Sequence, residues 1–174
     1  MNDTARPLQV ALIGYGFVGK AFHAPLINAV PGLELSVVAS RDAAKVHADL
    51  PHVQVIADPL EAIRRPEVDL VVIASPNDTH APLALAALEA GKHVVVDKPF
   101  TLDLAQARTL IAAAEKHDRL LSVFQNRRWD SDFLGVKQVI EQGLIGKVTH
   151  FESHIDRYRP EVRVRWREQN LPGS

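Results

Sequence analysis

Val10-Ala11-Leu12-Ile13-Gly14-Tyr15-Gly16-Phe17-Val18-Gly19-Lys20 is the stretch on which the reading of this chain turns. A short apolar run suited to a buried strand leads into a glycine turn and then into a segment with helical spacing. The glycines at 14, 16 and 19 form the pattern G-x-G-x-x-G, in which each has a task. Gly14 permits a tight turn off the strand. Gly16, lacking Cβ, lets the backbone approach a pyrophosphate, and Gly19 lets the helix pack closely on the strand. The helix start then offers free N–H groups and a partial positive charge to the phosphates. Phe17 and Val18, inside the turn, join the three glycines as candidate dinucleotide contacts. The alternative is a plain strand-to-helix turn without a ligand, and the surroundings have to decide.

Outward from that turn, apolar strands and helices alternate. The pattern predicts strands over 8–13, 33–40, 53–56, 68–74, 93–97 and 120–124, with helices over 19–30, 42–50, 60–64, 79–90 and 102–117. In the first helix Ala21, Phe22, Leu26, Ile27 and Val30 recur at helical spacing and mark an apolar face. Asp42 caps the second helix, and Asp58 before Pro59 opens the third. Such alternation means an α/β fold with a parallel, doubly wound sheet. Six strands with the glycine turn after the first form the Rossmann arrangement, so residues 1–125 are expected to be an NAD(P)-binding domain.

After Asn126 the grammar changes. A helix is predicted over 130–142, with Phe133, Val136, Val139 and Ile140 on one face. Gly143 and Gly146 frame a turn, and 147–158 then alternates through Val148, Phe151, Ser153 and Ile155 as a strand of a half-exposed sheet would. Arg157, Arg159, Arg163, Arg165 and Arg167 follow. One strand and a tail cannot bury a core of their own. Residues 126–174 are therefore expected to be the start of an α+β second domain, for substrate and dimerisation, that this chain does not finish.

The bulk numbers exclude several classes. With 174 residues, 47% hydrophobic and 24% charged, the composition is that of an ordinary globular protein. A net charge of −1 gives no general case for nucleic acid or an anionic membrane. The arginine-rich tail adds little to that case, since it lacks interleaved aromatics beyond Tyr158 and Trp166. The absence of cysteine rules out disulfides, iron–sulfur clusters and thiol nucleophiles. No apolar run reaches transmembrane length and the polar start is not a signal peptide, so a soluble cytoplasmic protein is expected. The eight histidines show no metal-ligand spacing.

Ligands of open α/β sheets bind beyond the carboxyl ends of the strands, and those ends are where the polar residues fall. At the second strand an acid for the ribose hydroxyls is expected, but Ser40 and Arg41 stand there. A hydroxyl and a guanidinium suit a 2′-phosphate, which favours NADP over NAD. Arg41 as a solvated loop cation is the alternative. The fourth strand ends in Ser75-Pro76-Asn77-Asp78-Thr79-His80, the fifth in Asp97-Lys98-Pro99, and the sixth in Gln125-Asn126-Arg127-Arg128. A lysine at this edge can exchange a proton with a carbonyl or alcohol, oriented by the neighbouring carboxylate. Against that stand a local Asp97–Lys98 ion pair and a His80 that merely begins a helix.

The glycine turn at 14–19, S-P-N-D-T-H at 75–80 and A-G-K-H-V-V-V-D-K-P at 90–99, at this spacing, resemble the glucose–fructose oxidoreductase/inositol dehydrogenase/MocA family over essentially the whole chain. The resemblance implies an N-terminal Rossmann domain and a C-terminal α/β domain whose large sheet binds substrate and builds a dimer. It implies oxidation or reduction of sugars, inositols or related polyols with NAD(P). The family's E-K-P appears here as Asp97-Lys98-Pro99. Lys98 matches the lysine that holds the reacting hydroxyl and tunes proton transfer, and Pro99 a proline often preceded by a cis peptide. Asn77 and His80 match residues near the cofactor's ribose and diphosphate, and Asn126 and Arg127 the stretch beside the nicotinamide. Ser75, Pro76, Asp97 and Lys98 complete the candidate contacts at this end.

The family's other catalytic pair, D-x-x-x-H, has no counterpart in this sequence. His150 and His154 are four apart but read as polar residues of a sheet face. The expectation is a cofactor-binding half, inactive alone, of an NADP-dependent oxidoreductase that oligomerises at full length. A non-catalytic NAD(P) sensor and an interaction subunit that pairs through its unfinished strand are the competing readings.

Overall fold

A computed structural model describes residues 6–158, 160 and 161. The chain divides between Phe124 and Gln125 into two compact units.

The first unit is built on β1 (Leu8–Ile13), β2 (Leu33–Ala39), β3 (Gln54–Ile56), β4 (Leu70–Ile73), β5 (His93–Asp97) and β6 (Leu121–Phe124). All pair in parallel, in the order β3-β2-β1-β4-β5-β6. The helices between them are α1 (Ala24–Ala29), α2 (Ala43–His47), α3 (Pro59–Arg64), α4 (His80–Glu89) and α5 (Leu104–His117). Parallel neighbours need crossovers, and the crossovers cover both faces, which is why strand interiors are apolar on both sides. Along β1, Val10, Ala11 and Leu12 are all 0% exposed. Ala11 and Ile13 pack with α3, α4 and α5 residues such as Ile63, Leu88 and Leu110, while Val10 and Leu12 pack with Ala24, Ile27 and Val46 on the opposite face.

One irregularity keeps this two-sided pattern in step. The β1–β2 register skips Ser36, pairing Val10 with Leu35 and Ala11 with Val37. The extra residue reverses the alternation, so Leu35 packs on the α1 side and Val37 on the other.

The helix starts are capped as their residues suggest. Asp42 Oδ1 accepts from the Lys45 N–H at 3.0 Å, Asp58 Oδ1 from the Leu60 N–H at 2.9 Å, and Asp103 Oδ1 from the Gln106 N–H at 2.8 Å. Lys92, buried, donates to the carbonyls of Arg65 and Val68 at 2.9 and 2.7 Å, closing the loop after α3.

The first helix departs from its predicted form. Residues Gly19–His23 make a π-turn that runs into α1. The wider turn shifts the inward face: His23, Ala24 and Ile27 are buried, whereas Ala21, Phe22, Leu26 and Val30 are exposed. Of the predicted apolar face, only Ile27 faces the core.

The second unit contains a short 3₁₀ turn, Asn126–Trp129, and α6 (Ser131–Glu141). Phe133, Val136 and Ile140 of α6 line a groove with Phe151. The strand predicted over 147–158 does not form: these residues are exposed and without regular structure. A strand is stable only when its N–H and C=O groups pair with a neighbour, and no described segment of this unit supplies one. Of the arginine-rich segment, Arg157 is described; Arg159, Arg163, Arg165 and Arg167 lie outside the described residues.

Candidate cofactor site

The glycine turn is shaped by three different constraints. Gly14 has φ +98°, and a Cβ there would lie 2.8 Å from the Ala74 carbonyl oxygen. Its N–H donates to Ala39 O at 3.1 Å, tying the turn to β2. At Gly19 a Cβ would overlap the carbonyl of Gly14, so the helix start lies directly on the turn. Around Gly16 nothing lies within 4 Å of a Cβ position. Two glycines are thus required by the fold, and the third leaves its space open. Val18 precedes the π-turn, and Phe17, 76% exposed, meets Phe22 edge-on with ring centroids 5.9 Å apart.

Beyond the carboxyl ends of β1, β2 and β4 lies a cavity of about 510 Å³. Gly14, Gly16, Ser40, Arg41 and Ser75, all predicted contacts, line it together. So do Tyr15, Lys45 and Thr79, which sequence reasoning did not select. Lys45 was detectable in principle, as a cation one turn past the Asp42 cap. Tyr15 is buried, and its hydroxyl donates to Asp49 at 3.2 Å. Burial first, then the Asp49 charge, pushes the Tyr15 phenol up, so it stays a donor. Lys20 pairs with the same carboxylate at 2.7 Å, and this hydrogen bond holds Asp49 below the usual carboxylate range. Ser40 accepts from the Asp42 N–H at 3.2 Å. Arg41 and Lys45 make no ion pair among the described residues.

The turn after β4 begins at Ser75-Pro76 and continues as a 3₁₀ turn, Asn77–Thr79. Ser75 and Thr79 hydroxyls meet at 2.6 Å, and Asn77 is half-buried. His80 is 1% exposed, with Nδ1 2.8 Å from the Pro99 carbonyl oxygen and Nε2 3.0 Å from that of Ser75. Both ring nitrogens face backbone carbonyls.

At the end of β5, Asp97 is 6% exposed, and its Oδ1 accepts the Lys98 backbone N–H at 2.8 Å. The carboxylate thus orients Lys98 through its backbone, and no Asp97–Lys98 ion pair forms among the described residues. Lys98 itself is exposed, and the Lys98–Pro99 peptide is cis. Nearby, His23 from the π-turn packs on Phe124 with ring centroids 4.4 Å apart, and its Nε2 is buried without a hydrogen-bond partner among the described residues. Phe124 is the register neighbour of Asp97. Burial pushes the His23 ring down, with Asp97 opposing.

Asn126 and Arg127 belong to the second unit, where Arg127 pairs with Asp130 at 2.7 Å. His150 and His154 also lie there, exposed, both against Glu152. Among the described residues no group of three or more His, Cys, Asp or Glu is placed to hold a metal ion. No helix there is long and apolar enough to cross a membrane.

A six-stranded parallel sheet with this glycine turn and a cavity at its carboxyl edge defines a Rossmann-type dinucleotide-binding unit. Residues 8–125 match an oxidoreductase family with an NAD-binding Rossmann fold, and the chain belongs to that glucose–fructose oxidoreductase/inositol dehydrogenase/MocA family. It is 60% identical to the uncharacterized oxidoreductase YdgJ of Escherichia coli over 174 residues, all of this chain and 49% of that protein. It is 36% identical to the scyllo-inositol 2-dehydrogenase (NADP(+)) IolW of Bacillus subtilis, over 93% of this chain and 45% of the relative. A solved structure from Klebsiella pneumoniae is 71% identical with a TM-score of 0.86, covering 88% of this chain and 45% of its own. The chain therefore spans about half the length of the curated relatives it matches.

Proposed function

We propose that this chain is the cofactor half of an NADP-dependent oxidoreductase acting on a CH–OH group of a sugar, inositol or related polyol. The observation that carries the NADP reading is the rim of the cavity at the end of β2. There Ser40, Arg41 and Lys45 stand with both cations outside any described ion pair, while the Asp42 carboxylate is engaged as the cap of α2. An NAD site needs a carboxylate facing the ribose hydroxyls; a 2′-phosphate needs this opposite sign. The open space at Gly16 fits a pyrophosphate, and the inositol dehydrogenases among the relatives support the substrate class.

When bound, the dinucleotide supplies the ring that accepts or donates hydride. The chain supplies the rest. Gly14, Gly16 and Gly19 seat the pyrophosphate, with Phe17 and Val18 beside it. Ser75, Pro76 and Asn77 border the ribose, Asn126 and Arg127 stand by the nicotinamide, and Lys98, on the turn fixed by Asp97, holds the reacting hydroxyl and moves its proton. Much of the acceleration comes from such positioning. The chain alone binds cofactor without turnover, in the cytoplasm.

Fluorescence titration with NADPH and NADH tests this. NADPH is expected to bind at least about tenfold more tightly, since charge-assisted hydrogen bonds contribute about 1.5–3 kcal/mol and 1.4 kcal/mol is tenfold. Arg41→Gln should erase most of that preference. Equal affinities, or a preference for NADH, would overturn the NADP reading; binding of neither would overturn the cofactor site itself.

A further inference from the structure

We infer that His80 is a positioning residue: its buried ring joins the turn after β4 to the turn after β5, and so fixes the backbone from which Lys98 is presented. The inference rests on the cofactor reading above, but the geometry stands by itself.

β4 and β5 are parallel neighbours whose register pairing runs to Ile73 opposite Val96. Past that point the strands become two turns that leave the sheet, and the ladder no longer holds them together. Each turn also contains a proline, Pro76 and Pro99, which has no N–H to donate. His80, the first residue of α4, takes the ladder's place. One ring nitrogen lies 3.0 Å from the Ser75 carbonyl and the other 2.8 Å from the Pro99 carbonyl. Carbonyl oxygens only accept, so the ring donates to one of them through whichever nitrogen carries the proton and packs its other nitrogen against the second, and at 1% exposure water cannot replace the ring.

The consequence falls on Lys98. On one side its N–H is taken by the buried Asp97 carboxylate at 2.8 Å. On its other side the next carbonyl, that of Pro99, is held by His80. An exposed lysine is thus carried on a backbone pinned before and after it by two buried side chains. The same ring fixes Ser75, so a change at His80 disturbs both turns of the β4–β6 half of the sheet at once. In a doubly wound sheet each half takes one mononucleotide, and the two carbonyls beside this ring both belong to the β4–β6 half.

That division sets the test. NADPH also spans the turn after β5 that carries Lys98, whereas 2′,5′-ADP fills the cavity at the ends of β1, β2 and β4, where the turn after β4 contributes only Ser75 and Thr79 among the residues named above. In His80→Leu, which removes the ring from between both carbonyls, NADPH affinity is expected to fall at least tenfold and 2′,5′-ADP affinity by less than threefold. His80→Gln keeps a donor for one carbonyl and should recover part of the loss; it also serves if the leucine variant does not fold. Equal losses for both ligands, or no loss for either, would overturn the inference. If the unaltered chain binds neither ligand, the cofactor reading fails. The strut is then judged by amide hydrogen exchange in His80→Gln. Faster exchange confined to the amides of Asn77, Asp78, Thr79 and Lys98 supports it, and unchanged exchange at Lys98 refutes it.

Discussion

The three glycines of the turn offer a separation of folding from binding that the structure makes quantitative. Gly19→Ala places a methyl group against the Gly14 carbonyl, a backbone atom that cannot rotate away. Restoring ordinary contact requires the helix start and the turn to separate by roughly 1 Å. Overpacking of this kind costs about 1–3 kcal/mol, and replacing glycine by alanine in a helix returns about 0.5–1 kcal/mol. The net loss lies between about 0 and 2.5 kcal/mol, toward the upper end because the atom met is backbone, or roughly 5 °C in Tm for a chain of this size. Gly14→Ala should lose at least as much, because it adds a positive φ to a Cβ contact of 2.8 Å with Ala74 O. Gly16→Ala meets nothing within 4 Å and should leave Tm unchanged. Its methyl group fills the space assigned to the pyrophosphate, so NADPH affinity should fall at least about tenfold, a cost of 1.4 kcal/mol or more. The assays are differential scanning fluorimetry and NADPH titration on the same preparations. A Gly19→Ala chain that melts with the unaltered protein would refute the close-packing argument. A stable Gly16→Ala chain that binds NADPH normally would refute the pyrophosphate seat.

Two further outcomes follow from buried titratable groups. Lys92→Met removes the donor to the Arg65 and Val68 carbonyls, and should lower the urea midpoint by an amount equivalent to about 1–2 kcal/mol, with NADPH affinity retained. His23 has a folded-state pKa lowered by burial from its ordinary 6.5, so the unfolded chain takes up its proton first on acidification. Stability should therefore decline as pH falls below about 6.5 and level off below the folded-state value, and His23→Gln should flatten that part of a urea-midpoint profile against pH. An unchanged slope in the variant would show that other groups produce it.

The fold was legible where side-chain pattern and backbone geometry coincide. The apolar runs from Leu8 and from His93 are short enough for buried parallel strands and form them, and the aspartates at 42 and 58 announced the helices they cap. What escaped reading were features set by a single residue of register. A π-turn leaves no mark in composition, so the first helix was given the wrong inward face, and His23 did not stand out among eight histidines. The skipped Ser36 in β2 is invisible for the same reason. At 147–158 the alternation of Val148, Phe151 and Ile155 was real, but alternation describes only which face a strand would present. Whether it becomes a strand depends on a neighbour for its backbone, and side chains do not report that. His80 was found by motif, yet its contacts are with two carbonyls, groups that every residue carries and no sequence pattern distinguishes.

The sign of the cavity rim follows from how the nearby acids are used. Asp42 and Asp49 lie on either side of α2, close enough in sequence to Ser40 to make an acidic site. Both are committed elsewhere. Asp42 accepts from the Lys45 N–H, and Asp49 accepts from Tyr15 and pairs with Lys20, locking the glycine turn to the end of α2. That second network withdraws one cation from the pyrophosphate side of the turn. It leaves Arg41 and Lys45 at the rim outside any ion pair among the described residues, with the Asp49 charge acting on Lys45 only at longer range. Had Asp42 turned from the helix cap toward the cavity, the same residues would present a carboxylate to a ribose diol, and α2 would lose about 1 kcal/mol of capping. The short α2, only Ala43–His47, has few other contacts with which to offset that loss. The charge of the rim is thereby coupled to helix capping, because one aspartate cannot both cap α2 and face the cavity.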